Sequence, residues 1–326
     1  MHEKRVYENI LDVIGHTPMV LLNRITEDLP CSVYAKLEFL NPMGSSKDRI
    51  ARHLVEAAEQ DGRLRPGDTI LENSSGNTAM GLALLAIQKG YKLTVVVRDR
   101  TSKEKLDQLK ALGVDVIKVD TSLPPEHPDS YNNITPRLAK ELPHCYFPDQ
   151  HNNRENNESH YLGMGPEIWD QMEGRIDAVV AGMGTGGTIG GVGRFLKERD
   201  PKIKVVAVDV EGSIFTEYFR TGKVGKAAPY LLEGLGDEFL IGCADFSVID
   251  EMVQVSDRDA FLAARILARR EGLLVGGSSG AVIHAALQVG RTLPPGARMA
   301  VVFADSASRY LSTIFNDEWM HEKGML

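Results

Sequence analysis

Short β-branched runs alternate with amphipathic helical runs along most of this chain, and that alternation limits its fold more than any other feature. Strands separated each time by a helix pair in parallel, and the helices cover both faces of the sheet. The first clear unit is a helix over 49–60, a turn through Pro66, Gly67 and Asp68, and a strand over 69–72. A helix over 77–89 closed by Gly90 and a strand over 92–97 follow. Thr101 with Glu104 reads as a capping box for a helix that stops at Gly113, ahead of a strand over 114–119. The segment 122–128 is too rich in proline for helix or central strand and predicts a loop. Pro136 suits a first helical position, and 145–147 reads as a buried strand. A second series comprises a strand over 178–181, a helix through 194–199, a strand over 205–208, a helix over 257–270 and a last strand over 299–304. At 326 residues the chain exceeds what one core usually organises, which predicts two lobes or one large α/β domain.

Composition excludes several partners. A net charge of −8 argues against nucleic acid or an anionic membrane, so an anionic cofactor would need local donors. Cys31, Cys145 and Cys243 have neither disulfide parity nor C-x-x-C spacing, which fits a reducing cytoplasm and gives no metal site. No signal-peptide run follows the charged start at Met1 to Arg5, and no stretch approaches a membrane span. A soluble, uncleaved, cytoplasmic protein is expected.

Three loops carry candidate chemistry. The turn-forming run from Asn41 through Pro42, Gly44, Ser45 and Ser46 delivers Lys47 at the mouth of a helix, where unpaired N–H groups should depress an amine's pKa and free it as a nucleophile. Alone, the same run reads first as a helix cap followed by a solvated Lys-Asp-Arg; the other loops shift that reading. Ser74, Ser75, Gly76, Asn77 and Thr78 form a strand-to-helix loop crowded with hydroxyls and a carboxamide, suited to a small carboxylate at a helix N-terminus. The third loop, Gly182 to Thr188, lets bare backbone wrap a phosphate, with Thr185 and Thr188 as hydroxyl donors. It also satisfies G-x-G-x-x-G through Gly182, Gly184 and Gly187, with Asp209 about 20 residues on, as a dinucleotide fold requires. The loop itself leaves dinucleotide and phosphate monoester open. Its position past mid-chain, behind Lys47, favours imine chemistry over hydride transfer.

Lys47 in its N-P-x-G-S-x-K-D-R context, Ser74 to Thr78, Gly184 to Thr188 and the pair Asp305, Ser306 together resemble fold-type II pyridoxal-phosphate enzymes over essentially the whole chain. The resemblance is nearest to the cystathionine β-synthase and cysteine synthase family. On the cystathionine side stand Asp149 and Gln150 with Asn153, Asn156, His160 and Tyr161 behind them, Glu211 to Ile214, Glu233 to Gly236, and Glu318, Trp319 through Lys323, Gly324. It implies two lobes, each on a mostly parallel twisted sheet with helices on both faces, and the cofactor in the cleft. The smaller would span 44–149, the larger 1–43 and 150–326.

The resemblance also implies roles. Lys47 would form the imine with pyridoxal 5'-phosphate and later move protons at the substrate Cα. Asn77 would bond the phenolic oxygen, Gly184, Thr185, Gly186, Gly187 and Thr188 would hold the phosphate, and Ser306 would face the pyridine nitrogen. A neutral hydroxyl there makes the ring a weaker electron sink than a carboxylate would, which suits loss of a β-leaving group. Ser74, Ser75, Thr78 and Gln150 would grip the α-carboxylate. The implied reaction is β-replacement on L-serine or an O-activated serine through an aminoacrylate, with cystathionine synthesis leading, cysteine synthesis or an amine-adding diaminopropionate-type synthesis as alternatives, and an NAD-dependent dehydrogenase as the reading from another class. Glu233, usually glutamine in cysteine synthases, would assist departure of a hydroxyl or steer the second substrate; it could equally be a surface carboxylate. Met43, Asn73, Ala79, His151 and Asp237 depart from the family pattern. Asp237, typically tyrosine in cystathionine synthases, would favour a nucleophile carrying an ammonium group. A homodimer acting on small amino acids is implied, and the short ends predict neither a haem-binding extension nor a response to adenosyl ligands.

Overall fold

Alternation within single strands sorts side chains into separate cores, and this organises most of the chain. The computed structural model describes residues 6–124 and 127–326; Met1 to Arg5 and, in the proline-rich loop, Pro125 and Glu126 lie outside the described residues. Strands β1 (Met19–Leu21) and β2 (Ser32–Leu37) pair antiparallel. There follow α1 (Lys47–Gln60), β3 (Thr69–Glu72), α2 (Asn77–Lys89), β4 (Lys92–Arg98), α3 (Lys103–Ala111), β5 (Asp115–Val119), α4 (Tyr131–Glu141) and β6 (Cys145–Tyr146). Next come α5 (Glu155–Ser159), a π-helical turn (His160–Met164), α6 (Gly165–Gln171), β7 (Ala178–Gly182), α7 (Gly187–Arg199), β8 (Lys204–Val210) and α8 (Phe215–Thr221). The chain closes with β9 (Glu251–Val255), α9 (Asp257–Glu271), α10 (Gly277–Gly290), β10 (Arg298–Phe303) and α11 (Asp317–Glu322).

Of the described residues, the smaller compact unit comprises 6–15 and Asn41–Glu155. Its sheet is wholly parallel, in the order β5-β4-β3-β6. Ile50, Ala51, Leu54, Val55 and Ala58 form the buried stripe of α1, while α2 is buried on nearly every side because it packs on both α1 and β4. Leu11 and Ile14 join this core, so residues 6–15 belong here and not, as expected, with the larger unit.

The larger unit comprises His16–Leu40 and Asn156–Leu326. Its six-stranded sheet runs β1-β2-β10-β7-β8-β9, parallel except for β1. Ala178, Val180, Val206, Val208, Met299 and Val301 face one core with α9 and α10. Their neighbours Val179, Ala181, Val205, Ala207, Ala300 and Val302 face another with α6 and α7. This period-two division is what a sheet covered on both faces requires. Fully burying each large aliphatic side chain contributes ~1.5–3 kcal/mol. Lys36, buried on β2, has all three ammonium donors matched: Glu167 Oε2 at 2.6 Å, Thr17 O at 2.7 Å and Gln171 Oε1 at 2.9 Å.

Two local expectations are corrected. Pro136 lies inside α4 and not at its first position; the helix begins five residues earlier, at Tyr131. The cap of α3 is Ser102, whose hydroxyl accepts Lys105 N, in place of Thr101. Among the described residues, no helix is long and apolar enough to cross a membrane.

Candidate active site

In the smaller unit a tight turn presents Lys47. Gly44 adopts φ +80°, its N–H donating to Asn41 O at 2.8 Å, and Asn41 Oδ1 accepts Gly15 N at 2.9 Å. Met43 N donates to Asp48 Oδ2 at 2.7 Å, and Lys47 N to Ser45 Oγ at 3.2 Å. Lys47 is thus the first residue of α1, and its carbonyl packs against α2, where a Cβ on Gly81 would stand 3.0 Å from it. A side chain there would have to push the two helices apart by a few tenths of an ångström.

The second loop leaves β3 at Glu72 and enters α2 at Asn77. The N-cap position is Gly76, which has no side chain to satisfy the first N–H groups of this thirteen-residue helix. Thr78 Oγ1 donates to Gln150 Oε1 at 2.5 Å, and Ser74 Oγ lies 3.4 Å from Gly76 N. Gln150 follows Asp149, a non-glycine residue at φ +50°. Such a conformation costs ~1 kcal/mol or more. It is held by Asn152 and Asn153, whose N–H groups donate to Asp149 O at 3.1 and 2.8 Å. Ser74, Ser75, Asn77, Thr78 and Gln150 therefore come together around an uncapped helix mouth, where hydroxyls, a carboxamide and partial positive charge suit a carboxylate. Glu72 lies fully buried beneath them, and burial pushes its carboxyl up to about 8, the backbone N–H groups of Asn73 and Gln150 pulling the other way.

In the larger unit the loop from β7 to α7 packs by its bare backbone. A Cβ on Gly184 would collide with Gly234 O, one on Gly186 would sit 2.8 Å from Cys243 O, and Gly186 itself adopts φ +80°. The N-cap position of α7 is again a glycine, Gly186, with no side chain to serve as cap, and Thr185 Oγ1 lies 3.5 Å from Gly187 N. Asn156 Nδ2 donates to Thr185 Oγ1 at 2.9 Å, so the Thr185 O–H is left to donate elsewhere. Thr188 Oγ1 lies 3.2 Å from His160 Nε2, and His160 opens the π-helical turn, a distortion that recurs at functional sites. Asn156 and His160 enter the sequence reading only as spacing markers; their role in fixing the two threonines depends on α5 lying against α7.

Ser306 follows β10, bridges to Val275, and accepts Ser308 N at 3.3 Å. The exposed Glu233 is carried by a loop whose flanking Leu232 and Leu235 are buried in the core. Burial together with the nearby Asp305 and Glu233 carboxylates pushes the Tyr310 phenol well above its usual range. Asp237 Oδ1 accepts Glu238 N at 2.7 Å, and its backbone clips to Ser213 and Ile214. Asp209 does not behave as a ribose-binding acid: it is buried, and its Oδ2 accepts Thr216 N at 2.9 Å and Thr216 Oγ1 at 2.7 Å. Lys47, Ser74, Ser75, Asn77, Thr78 and Gln150 thus belong to one unit, and Gly184 to Thr188, Glu233, Asp237 and Ser306 to the other.

The smaller unit thus carries an amine at a helix start and a hydroxyl-rich helix mouth, and the larger unit carries a glycine loop at a helix start suited to a phosphate. The description "Pyridoxal-phosphate dependent enzyme" matches residues 10–305, and the chain belongs to that family. This sets aside the dinucleotide reading of the glycine loop. The chain is 42% identical to cystathionine beta-synthase of Apis mellifera, over 99% of this chain and 64% of that protein. To cystathionine beta-synthase of Dictyostelium discoideum it is 40% identical, over 99% and 65%. It is also 41% identical to cysteine synthase of Staphylococcus aureus (strain N315), over 94% of this chain and 96% of that protein. The chain thus spans less than two thirds of these two cystathionine synthases.

Proposed function

We propose that this chain catalyses β-replacement on L-serine or an O-activated serine, with cystathionine synthesis from serine and homocysteine as the leading reading. The observation that carries the reaction class is the seat built by the uncapped N-terminus of α2 and the Thr78–Gln150 bond. Such a seat recognises an amino acid by its α-carboxylate and fixes the Cα–H direction.

The glycine loop with Thr185 and Thr188 would hold the phosphate of pyridoxal 5'-phosphate, with Asn77 and Ser306 at its ring. When bound, the group supplies an electrophilic carbon for the amino nitrogen and a ring that accepts the electron pair from Cα. Ser74, Ser75, Thr78 and Gln150 orient the substrate, and the Lys47 amine takes the proton from Cα. Glu233 donates a proton to the departing hydroxyl of serine, a poor leaving group unless protonated. The proton taken by Lys47 returns to Cα after the nucleophile adds. Two lobes and a homodimer form part of this proposal.

Cysteine synthesis is the second reading. It is favoured by the cysteine synthase relative whose length this chain matches nearly end to end. Visible absorption of the purified, cofactor-loaded protein separates the two. A band that changes on adding L-serine supports the first; one that changes only with O-acetyl- or O-phosphoserine supports the second. A band indifferent to all three overturns the reaction class.

A further inference from the structure

We propose that Glu72, a buried carboxyl to which no role has yet been given, is a positioning residue that holds both halves of the α-carboxylate seat in one frame and so sets how tightly the amino-acid substrate binds. The inference rests on the reading of Ser74, Ser75, Thr78 and Gln150 as that seat.

Glu72 ends β3 with 0% of its surface exposed. Its Oε1 accepts Asn73 N at 3.0 Å, at the head of the serine loop. Its Oε2 accepts Gln150 N at 3.4 Å, 78 residues further along the chain. Thr78 Oγ1 to Gln150 Oε1 closes the circuit from the other side. One side chain therefore ties together the two segments that carry the expected carboxylate donors. An apolar residue there would leave both amides without that acceptor, whereas a carboxamide, like the neutral carboxyl, keeps one carbonyl oxygen and gives up only the weaker hydroxyl acceptor.

The protonation state matters because of what lies above. Asp149, on the turn before Gln150, adds negative charge, and burial, with a smaller contribution from the same carboxyl, raises the phenols of Tyr131 (α4) and Tyr146 (β6) above their usual range. Arg98 of β4 stacks on the Tyr131 ring at 4.7 Å. At pH 7 the floor of the seat is accordingly neutral. Ionised, it would set a negative charge beneath a site for a negative group.

The test uses the full chain loaded with pyridoxal 5'-phosphate and whichever of L-serine or O-acetyl-L-serine it turns over, with Glu72→Ala, Glu72→Gln and, as reference, Gln150→Ala. Glu72→Ala should raise KM about tenfold at pH 7, with kcat within about threefold, as expected for loss of one buried hydrogen-bonded tie. Glu72→Gln, which keeps the volume and one acceptor, should recover part of this. Wild-type KM should climb as pH passes 8, and that climb should be missing in Glu72→Gln. An equal climb in both proteins overturns the proposal, as does a Glu72→Ala that loses cofactor and kcat while KM is unmoved. If Glu72→Ala does not fold, the pH profile of Glu72→Gln decides. A normal KM in Gln150→Ala overturns the reading of the seat itself, and this inference with it. A raised KM there, with both Glu72 variants normal, overturns this inference alone.

Discussion

Tyr310 donates its phenol to Asp305 Oδ2 at 2.8 Å, both side chains being buried, and this bond fixes the residue directly before Ser306. The same short segment is clipped to the start of α10 by Gly276 N to Asp305 O at 3.1 Å and Ala304 N to Ser279 Oγ at 3.1 Å. Tyr310→Phe leaves the Asp305 oxygen buried without that donor, so stability should fall by ~1–3 kcal/mol. Denaturant midpoints check this. Because Ser306 is expected at the cofactor ring, pyridoxal 5'-phosphate affinity, measured by fluorescence titration, should weaken as well.

The glycine loop gives a second prediction. A Cβ on Gly187 would run into the Asn156 carboxamide, the donor that holds Thr185. Gly187→Ala should weaken cofactor binding by about tenfold, the equivalent of one charge-assisted hydrogen bond. Gly90→Ala is the control: its φ lies above zero, at +77°, but a Cβ there meets nothing within 4 Å. It should cost stability without changing cofactor affinity in equilibrium titrations.

Glu72 predicts a pH dependence of stability. Its carboxyl ionises near 4.5 in the unfolded chain and at about 8 in the folded one. Between those values the native state holds a proton that the unfolded state has released, so the contribution is complete below 4.5 and is lost as pH rises toward 8. The upper bound is about 5 kcal/mol. Urea midpoints from pH 5 to 9 should therefore decline less steeply in Glu72→Gln than in wild type.

Glu233→Gln should separate the donors. A carboxamide cannot protonate a departing hydroxyl, so turnover of L-serine should fall about 100-fold or more, the scale of general acid catalysis. Turnover of O-acetyl-L-serine, whose leaving group needs less help, should change much less. Equal losses with both donors would leave Glu233 without this role.

Lys47→Ala should abolish turnover and the visible band of the bound cofactor while leaving the fold intact, because the side chain is only half-buried and α1 is anchored by its apolar stripe. Far-ultraviolet circular dichroism with absorption spectra checks both halves.

Much of this protein was legible in its sequence. The strand over 69–72 and the helix over 77–89 fall where the alternation predicts, because hydrophobic period, the Gly/Pro turn and the C-terminal glycine are all local signals. The three loops and Lys47 were legible for the same reason: glycines, hydroxyls and a helix start announce themselves within ten residues. Helix α10 was not, since a helix buried on nearly every side shows no amphipathic stripe and opens with Gly277, Ser278, Ser279 and Gly280. Nor was the membership of residues 6–15, decided by the packing of Leu11 and Ile14. The sequence by itself determined the order of elements, the parallel sheets and the chemical character of each loop. Tertiary structure alone decided that Glu72 lies under Gln150, that Asn156 and His160 hold the two threonines, and that Asp209 turns inward to Thr216. Those relations join residues up to 78 apart or depend on which side of an element is buried, and burial is a property of the packed chain that no local window contains.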